Sequence, residues 1–267
     1  MKHCLTIAGS DSCGGAGIQA DLKAFSANGV YGMSVITAVT AQNTQGVFDV
    51  QDITPSVIAN QIKAVLDDIR VDAIKIGMVS RPETIEAIAH TLKQYLLPPL
   101  VIDPVMISKS GYDLLQPEAK KALIETLLPM ATLITPNLPE AEVIVGYTID
   151  TIELMKKAAV DLHALGCRYV LVKGGHLVND ATDVLYDGEH FYMLEAKRLI
   201  SINTHGTGCT LSSAIAANLA KGYHVKDAVE EAKAYITEAI GFGFPLGHGV
   251  GPVHHFYRLY KQAGVEQ

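Results

Sequence analysis

Short apolar runs rich in branched residues recur along the chain and alternate with longer segments of helical periodicity. The apolar runs predict buried strands at residues 5–8, 35–39, 73–76, 100–102, 133–135 and 169–172. Helices are predicted at residues 17–27, 55–69, 82–95, 117–128 and 151–165, and three of them have an early proline, which suits a first helical turn. This alternation predicts an α/β fold with a mostly parallel central sheet and helices on both faces, in three layers.

The later part of the chain adds a hairpin and two helices. Asp187 and Gly188 stand between short apolar runs at residues 184–186 and 191–193, and such a pair favours a tight turn. The small-residue run at 210–220 predicts the first helix. In the second helix, apolar residues recur at helical spacing and indicate a core-facing side: Ala228, Val229, Ala232, Tyr235, Ile236 and Ala239.

Composition favours one large domain and disfavours nucleic acid as a partner. The 267 residues are 49% hydrophobic and 18% charged, which is typical of a compact globular chain. No repeat, low-complexity tract or linker divides them, so we expect one domain over residues 1–267. A formal net charge of −7 disfavours binding to a nucleic-acid backbone, whereas small anions can still be held by a local site.

Cysteine usage and hydropathy indicate a cytoplasmic protein. Cys4, Cys13, Cys167 and Cys209 are widely separated and form no C-x-x-C motif, so neither a disulfide framework nor a zinc site is indicated. The N-terminal apolar run is too short for a signal peptide, and no window reaches the roughly 18 apolar residues of a membrane span. We therefore expect a reducing compartment and no membrane partner.

A polar or glycine-rich loop follows each of the predicted strands. In an open parallel sheet such loops gather at the carboxyl ends of the strands, where ligands bind. The six loops cover residues 9–17, 40–44, 75–78, 103–106, 135–140 and 173–176. Packing alone does not require this shared character, so the loops predict a ligand site at one edge of the sheet.

The stretch Thr204-His205-Gly206-Thr207-Gly208-Cys209 combines an anion-binding turn with a reactive side chain. A Gly-Thr-Gly turn lets successive backbone N–H groups converge on an anion, and the dipole of the following helix adds positive charge. We expect the thiolate of Cys209 to be favoured there, so that this cysteine could accept a proton or attack an electrophile. The structural alternative is a small residue that fills the start of a helix.

Two common nucleotide signatures are weak or missing. Residues 15–20 match the G-x-G-x-x-A form of a dinucleotide fingerprint, but no acidic residue ends the second predicted strand to hold a ribose. Hydride transfer is therefore disfavoured. A Walker A motif is absent from the sequence, so a phosphate donor would have to be held in another way.

Nine motifs resemble, in order, those of the hydroxymethylpyrimidine/phosphomethylpyrimidine kinases of thiamine biosynthesis, which belong to the ribokinase-like kinases. They lie at residues 9–11, 14–23, 41–44, 75–78, 103–106, 135–142, 173–176, 204–209 and 251–256. The resemblance implies a ribokinase-like fold, ATP as co-substrate, Mg²⁺ as cofactor and a homodimer. It also implies phosphorylation of 4-amino-5-hydroxymethyl-2-methylpyrimidine and then of its monophosphate.

On the acceptor side, the resemblance implies that Gln42 binds the pyrimidine and that Ala16, Met78 and Val105 form the pocket wall, with Asp11 among the substrate-binding residues. The residue types suit the ligand. An aminopyrimidine offers a donor beside a ring acceptor, which a Gln amide can match, and Met packs well against an aromatic face. From the residues alone, Gln42 could equally be a solvated loop amide, and Met78 and Val105 plain core.

On the donor side, the resemblance implies that Asn137 and Glu140 lie near the phosphates and organise Mg²⁺ through water, as a hard cation with retained waters allows. Asp103 is a second metal candidate, although an Asp before Pro is also a common turn former. Lys173 resembles a phosphate contact, with an exposed surface lysine as the alternative. Thr204 and His205 are expected to flank the nucleotide, which Asn137 and Lys173 would also contact.

The resemblance also implies roles around Cys209. The amides of Gly206, Thr207, Gly208 and Cys209 would form the anion cradle. Cys209 would accept the proton of the substrate hydroxyl, at a position where ribokinase-like enzymes generally carry Asp. Neither Cys13 nor His176 has a role that the residues support.

Two other functions remain open from the sequence. A pyridoxal kinase acts on a similar hydroxymethyl group, but related bacterial pyridoxal kinases carry a cysteine in the lid, here expected at residues 107–115, and no cysteine occurs between Cys13 and Cys167. A non-catalytic pyrimidine sensor would keep the pocket without turnover. The joint presence of Cys209, Glu140 and the glycine turn favours the kinase over the sensor.

Overall fold

A central sheet of eight strands dominates the part of the chain that the computed structural model describes, residues 1–106, 117–175, 181–196 and 199–265. A second sheet contains two strands, β3 and β4. The strands in chain order are β1 (His3–Ala8), β2 (Tyr31–Ile36), β3 (Ala38–Asn43), β4 (Gly46–Asp52), β5 (Ala73–Ile76), β6 (Leu100–Ile102), β7 (Leu133–Ile134), β8 (Tyr169–Val172), β9 (Asp183–Tyr186) and β10 (Phe191–Leu194).

The order of strands in the central sheet is β10-β9-β8-β7-β6-β5-β1-β2. Pairing is parallel from β2 through β8 and antiparallel from β8 to β10. The predicted mostly parallel sheet is confirmed. The antiparallel pair β9 and β10 is the hairpin that Asp187 and Gly188 indicated.

Helices cover both faces of this sheet. They are α1 (Gly17–Ala27), α2 (Pro55–Leu66), α3 (Pro82–Leu92), α4 (Pro117–Ala122), α5 (Leu138–Val145), α6 (Ile152–His163), α7 (Thr207–Ala220), α8 (Val225–Gly241) and α9 (Tyr257–Gln262). None of the helices within the described residues is long and apolar enough to cross a membrane.

Alternate residues of each inner strand face opposite helix layers, because successive side chains of a strand point to opposite sides. On one side, Ile74 and Ile76 of β5 pack in a core with residues of α2, α3 and α6. On the other side, Ala73 packs in a second core with residues of α1, α7 and α8. Lys75 alternates with Ile74 and Ile76, so it faces the layer of α1 and α7. The predicted three-layer arrangement is confirmed.

The strand predicted at residues 35–39 is wrong in its extent. β2 ends at Ile36, and the chain turns at Thr37, whose N–H donates to the carbonyl of Ala8 and whose hydroxyl donates to the carbonyl of Met78. Residues 40–44 were expected to be a loop, but 40–43 belong to β3, which pairs with β4. Residues 40–43 are mostly polar and mostly not buried, so the sequence lacks the apolar pattern that marks the strands of the central sheet.

Several helices also differ from their predicted ends. α2 and α3 stop three residues early, and the segment predicted at 117–128 divides into α4, a π-helical turn at Leu123–Leu127 and a 3₁₀ turn at Leu128–Met130. Pro129 explains this last break, since it cannot donate a helical hydrogen bond. α5 and α9 were not predicted. α5 is short and begins in a loop that the sequence reading treated as ligand-binding.

Candidate active site

A large cavity of about 1120 Å³ opens at the carboxyl ends of the parallel strands. Residues from all six predicted loops line it, so the cavity lies where the topology of the sheet predicts a ligand site. The proposed site residues on its wall are Asp11, Ala16, Gln42, Met78, Asp103, Val105, Asn137, Glu140, Lys173, Thr204, His205, Gly206, Thr207, Gly208 and Cys209. The structure therefore brings the candidate residues for acceptor, donor and metal into one cavity. His176 and the lid expected at residues 107–115 lie outside the described residues.

The glycine turn forms the N-terminal cap of α7. Gly206 has a φ of 79°, and a Cβ there would lie 1.8 Å from the carbonyl oxygen of Gly15, so both the backbone conformation and the space require glycine. Thr207 donates its hydroxyl to the carbonyl of Thr204 at 2.7 Å. The turn is thus packed directly on the first glycine-rich loop. The N–H of Thr207 donates to the Thr204 carbonyl at 3.3 Å, and the next residues of the first helical turn, Gly208 and Cys209, border the cavity.

Two helices begin side by side at the cavity. The backbone N–H of Gly17, the first residue of α1, faces the sulfur of Cys209 in the first turn of α7. One turn further along each helix, the hydroxyl of Ser213 donates to Asp21 Oδ1 at 2.7 Å. These two contacts show that α1 and α7 run in the same direction, so the positive ends of both helix dipoles lie near Cys209.

The environment of Cys209 nevertheless favours the protonated thiol. Burial raises its pKa to about 11, the Lys75 ammonium opposes the shift, and Asp21 and Asp103 add to it. The expectation of a favoured thiolate is therefore wrong for the protein in this state. Loss of hydration and two nearby carboxylates outweigh the helix dipole, which the local sequence alone cannot reveal.

An ion pair and a threonine hydroxyl form the polar floor beside the glycine turn. Lys173 Nζ donates to Asp103 Oδ1 at 2.9 Å, and the Thr135 hydroxyl donates to the same oxygen at 3.0 Å. Burial alone would raise the pKa of Asp103, but the ammonium groups of Lys173 and Lys75 hold it below its ordinary value. Lys173 is mostly buried, so the alternative of an exposed surface lysine is wrong.

Gly208 leaves room above this pair. A Cβ on Gly208 would lie 3.3 Å from Asp103 Oδ2 and 3.5 Å from Lys173 Nζ. Any larger residue would therefore fill the space between the glycine turn and the ion pair. The site keeps a gap bordered by backbone N–H groups, one ammonium and one carboxylate oxygen, which is the chemistry that a metal-bound phosphate requires.

Asn137 and Glu140 form a capping box at the start of α5. The amide of Glu140 donates to Asn137 Oδ1 at 2.9 Å, and the amide of Asn137 donates to Glu140 Oε2 at 2.9 Å. Burial raises the pKa of Glu140 to about 7, with Lys173 opposing the shift and Asp103 adding to it. Both residues thus have a structural role that the sequence reading did not include, in addition to their place on the cavity wall.

The acceptor side is built from the first loop, β3 and the end of β5. Gln42 donates its backbone N–H to the hydroxyl of Ser12 at 2.7 Å, which joins β3 to the first loop. A Cβ on Gly9 would lie 2.3 Å from the Cε of Met78, so the methionine side chain lies directly over this glycine. Gln42, Met78 and Ala16 therefore line the same cavity as the ion pair of Asp103 and Lys173.

Asp11 organises the first loop. Its Oδ2 accepts hydrogen bonds from the amides of Gly15 at 3.0 Å and Ala16 at 2.7 Å, and lies 2.8 Å from Nε2 of the buried His205. Burial works against a low value, but the His205 and Cys13 hydrogen bonds hold the pKa of Asp11 at about 2. The carboxylate of Asp11 thus binds the loop amides and the Nε2 of His205. These atoms are therefore not available for direct contact with the substrate or the nucleotide.

Asp11, Cys13 and His205 are, among the described residues, the group whose potential metal-binding atoms all lie within 4.8 Å of one another. The Asp11 oxygens already accept several N–H donors, which leaves them few lone pairs for a metal ion. The contacts describe a brace between the first loop and the glycine turn. They also give Cys13 a contact that the sequence did not predict, since its amide donates to Asp11 Oδ1 at 2.9 Å.

Two buried residues, Lys75 and Asp21, have no predicted function, although they lie in the sequence motifs at residues 75–78 and 14–23. A lysine in the middle of a four-residue buried strand is the signal that could have drawn attention to Lys75. Sequence reasoning also missed Lys233, which lines the cavity and donates to Asp183 Oδ2 at 2.5 Å. Asp183 in turn accepts from the amide of Gly174, next to Lys173.

The sequence pattern of the phosphomethylpyrimidine kinase family matches residues 11–254. This chain belongs to that family. A hydroxymethylpyrimidine/phosphomethylpyrimidine kinase of Rhizobium meliloti is 53% identical over 262 residues, which cover 96% of this chain and 98% of the relative. A thiamine biosynthesis bifunctional protein, ThiED, of Geobacter sulfurreducens is 52% identical, and there the match covers 94% of this chain but only 51% of the relative.

Solved structures of related kinases share the fold. A phosphomethylpyrimidine kinase from Clostridium difficile is 55% identical with a TM-score of 0.81, covering 90% of this chain and all of that one. An ADP complex of Bacillus subtilis pyridoxal kinase is 46% identical with a TM-score of 0.89, covering 96% of this chain and 97% of that one. The ribokinase-like fold expected from the phosphomethylpyrimidine kinase motifs is confirmed, and membership of this kinase family implies ATP as co-substrate.

Proposed function

We propose that this protein transfers the γ-phosphate of ATP to 4-amino-5-hydroxymethyl-2-methylpyrimidine and then to the resulting monophosphate. The observation that carries the proposal is the single cavity that joins an aromatic-binding wall at Gln42 and Met78 to the glycine turn and the pair of Asp103 and Lys173. The names of the Rhizobium meliloti and Clostridium difficile relatives support the same substrate.

The geometry suits phosphoryl transfer, in which a protein mainly positions the reactants and neutralises charge on the moving group. In our proposal the amides of residues 206–209 hold the transferred phosphate, and the Lys173 ammonium neutralises part of its charge. Asn137, Thr204 and His205 border the nucleotide, and His205 contributes through its backbone and its brace to Asp11. The Gln42 amide orients the pyrimidine so that its hydroxymethyl group points to the glycine turn.

Cys209 is proposed as the group that accepts the hydroxyl proton. Its place between the Gly17 amide and the glycine turn lies between the acceptor and donor parts of the cavity. In a loose transition state the hydroxyl becomes acidic only late, when its bond to phosphorus forms, so the proton acceptor is needed only at that stage. A raised pKa of about 11 limits the thiolate fraction before substrate binds, and a covalent phosphocysteine is not required.

Mg²⁺ is the proposed cofactor, and the donor set fits it. One oxygen of Asp103 is engaged by Lys173 and Thr135, and one oxygen of Glu140 by the amide of Asn137. The remaining acceptor capacity suits hydrogen bonds to metal-bound water better than a closed cage of protein ligands. When bound with ATP, the ion supplies charge neutralisation on the β- and γ-phosphates.

We also propose a cytoplasmic homodimer that binds neither nucleic acid nor a membrane.

Formation of ADP tests the proposed function directly. The purified protein is mixed with Mg-ATP and hydroxymethylpyrimidine, and the products are separated by chromatography. We expect ADP together with the pyrimidine monophosphate and then the diphosphate. Binding of the pyrimidine without formation of ADP would instead indicate a sensor.

Pyridoxal is the second candidate substrate, because a pyridoxal kinase structure superposes on nearly the whole chain with a TM-score of 0.89. The same assay with pyridoxal gives a second value of kcat/KM. We expect the pyrimidine to have the higher value. A higher value for pyridoxal would overturn the proposed substrate while retaining the proposed reaction.

A further inference from the structure

A fully buried ion pair lies under the cavity floor. Lys75 of β5 and Asp21 of α1 each have no exposed side-chain surface, and Lys75 Nζ is 2.9 Å from both carboxylate oxygens of Asp21. Desolvation makes such a pair costly, and apolar residues of similar size often give equal stability. A buried pair therefore needs a reason beyond stability, and Lys75 lines the cavity.

Two hydroxyl groups also hold Asp21. The hydroxyl of Thr6 on β1 donates to Oδ2 at 2.6 Å, and the hydroxyl of Ser213 on α7 donates to Oδ1 at 2.7 Å. Both carboxylate oxygens thus receive a neutral donor in addition to the lysine. Asp21 is fixed to β1, β5 and α7 together, and it fixes the position of the Lys75 ammonium in turn.

This fixed charge lies one helical turn below Cys209. Cys209 and Ser213 are separated by four residues on α7, and Gly17 and Asp21 by four residues on α1, so each pair shares a helix face. The upper contact joins Gly17 to Cys209 and the lower contact joins Asp21 to Ser213. Lys75 enters from the sheet between the two helices, on the face that α1 and α7 cover.

The charged groups that face the Cys209 sulfur come from four elements. Asp21 of α1 and Asp103 after β6 are negative, whereas Lys75 of β5 and Lys173 after β8 are positive. Lys173 is paired with Asp103 at 2.9 Å, beneath the expected phosphate position. Among these charged groups, Lys75 is the one that most strongly lowers the pKa of the Cys209 thiol against burial.

We propose that Lys75 is a positioning residue for proton transfer, whose ammonium, held in place by Asp21, stabilises the thiolate form of Cys209. The inference rests on the proposed role of Cys209 as proton acceptor. The Cys209 thiolate takes the proton of the substrate hydroxyl and becomes the neutral thiol, while the substrate oxygen forms its bond to the γ-phosphorus and ADP leaves. Lys75 keeps its own proton throughout and touches neither substrate.

The pH dependence of thiol alkylation tests this role without turnover. The Cys13→Ser protein leaves Cys209 as the partly accessible cysteine, because Cys4 and Cys167 are buried. Iodoacetamide reacts with the thiolate, so its rate follows the ionisation of Cys209. We expect Lys75→Met to slow alkylation at least tenfold at a fixed pH between 8 and 9 and to move the profile to higher pH, whereas Lys75→Arg stays within about threefold of the parent.

Ser213→Ala is the matched control. It removes one hydrogen bond to Asp21 and perturbs the same buried network, but it leaves both charges in place. A purely structural role of the pair predicts that Ser213→Ala and Lys75→Met change the alkylation profile alike. An electrostatic role predicts that only Lys75→Met moves it.

Asp21→Asn provides an independent test if Lys75→Met does not fold. This variant keeps the ammonium and removes a negative charge near the sulfur, so alkylation at a fixed pH should become faster. Slower or unchanged alkylation in Asp21→Asn, or a parental profile in folded Lys75→Met, would overturn the inference. If Cys209→Ala retains full kinase activity, the proposed proton acceptor fails instead, and the alkylation result is unaffected.

Discussion

His255 is a single residue with a defined effect on stability. It is buried behind the start of α7, where its Nε2 lies 3.0 Å from the hydroxyl of Thr210, one residue after Cys209. The hydroxyl of Tyr235 donates to the His255 carbonyl at 2.8 Å. Burial, with a contribution from Lys23, lowers the pKa of His255 to about 3, so the residue is neutral in the folded protein.

We expect His255 to make the protein less stable as the pH falls. The unfolded chain binds a proton near pH 6.5 and the folded protein only near pH 3, so the stability contribution is complete above pH 6.5 and decreases below it. Between pH 7 and pH 5 this amounts to about 2 kcal/mol of the free energy of unfolding. Urea unfolding at both pH values should show that His255→Gln loses less stability than the parent.

His90→Gln on the exposed end of α3 is the control for this comparison, and it should keep the parental pH dependence. Glu140, with a pKa raised to about 7, makes the free energy of unfolding rise as the pH falls, which is opposite to the effect of His255. The comparison therefore uses the difference in pH dependence between the parent and His255→Gln. Equal slopes for the parent and His255→Gln would contradict a neutral buried histidine.

Cys209 carries the main functional prediction at the scale of a residue. Cys209→Ala removes the proton acceptor but retains the backbone amides of the cradle, so kcat should fall by about 10²–10⁴ while ATP still binds. Steady-state kinetics and titration with a non-hydrolysable ATP analogue measure the two effects. Cys13→Ala, which removes a thiol hydrogen-bonded to Asp11, should retain most of the turnover. Unchanged turnover in Cys209→Ala would remove this residue from the chemistry.

At this scale, residue types could be predicted from the sequence better than their electrostatic state. Backbone chemistry predicts a turn at Gly206 and Gly208, and the structure has a glycine turn there at the start of α7, because the need for N–H groups and space is local. The raised pKa of Cys209 depends on Asp21 and Asp103, which come from other parts of the chain. The contact of Asp11 with His205 likewise joins residues that no local pattern relates.

The start of α7 depends on one backbone position, Gly206. Gly206 has a positive φ and also lies against the Gly15 carbonyl, so Gly206→Ala combines backbone strain with a clash. We expect a loss of about 1–3 kcal/mol in the free energy of unfolding and more than a tenfold loss of kcat. Urea unfolding and the ADP assay measure these effects.

Gly29→Ala separates the two causes. Gly29 has a φ of 75° but no atom lies within 4 Å of the position that its Cβ would take. This variant should lose stability through backbone strain alone and should retain kcat. Equal losses of activity in both variants would show that the close contact of the glycine turn with the first loop is unimportant for catalysis.

Elements with one strong local signal could be predicted, and those defined by a partner could not. The inner strands are continuous apolar runs because helices cover both of their faces. β3 and β4 lack this signal, since their pairing with each other defines them and only Ala38 and Thr40 among their residues are buried. α5 is marked by the Asn137 and Glu140 capping box, a signal that was present in the sequence but was assigned to ligand binding.

At the scale of the molecule, the cavity lined by the described residues has room for both substrates. Pockets for one small molecule usually measure about 300–1,000 Å³, and the cavity of about 1120 Å³ exceeds that range. We therefore expect both substrates to bind together before transfer. Double-reciprocal plots of initial velocity at several fixed pyrimidine concentrations should intersect. Parallel lines would indicate a phosphorylated enzyme and would contradict direct transfer.

The position of the site followed from topology, and its contents did not. Parallel strands with loops at their carboxyl ends predicted where a ligand binds, because that relation holds for open parallel sheets generally. The buried pair of Lys75 and Asp21 required the packing of α1 against α7, which brings residues 21 and 213 within 2.7 Å of each other. Such contacts arise from the complete fold rather than from any segment of it.

The two helix layers also set an order for folding during synthesis. All strands of the central sheet lie before residue 195, whereas α7 and α8, which cover one side of that sheet, come after residue 206. A nascent chain that has formed the sheet therefore exposes Val101, Leu133 and Leu171 until its last helices emerge. Partly made chains with such a face aggregate readily, so the same helix that completes the glycine turn also ends the stage at which the nascent chain is most prone to aggregate.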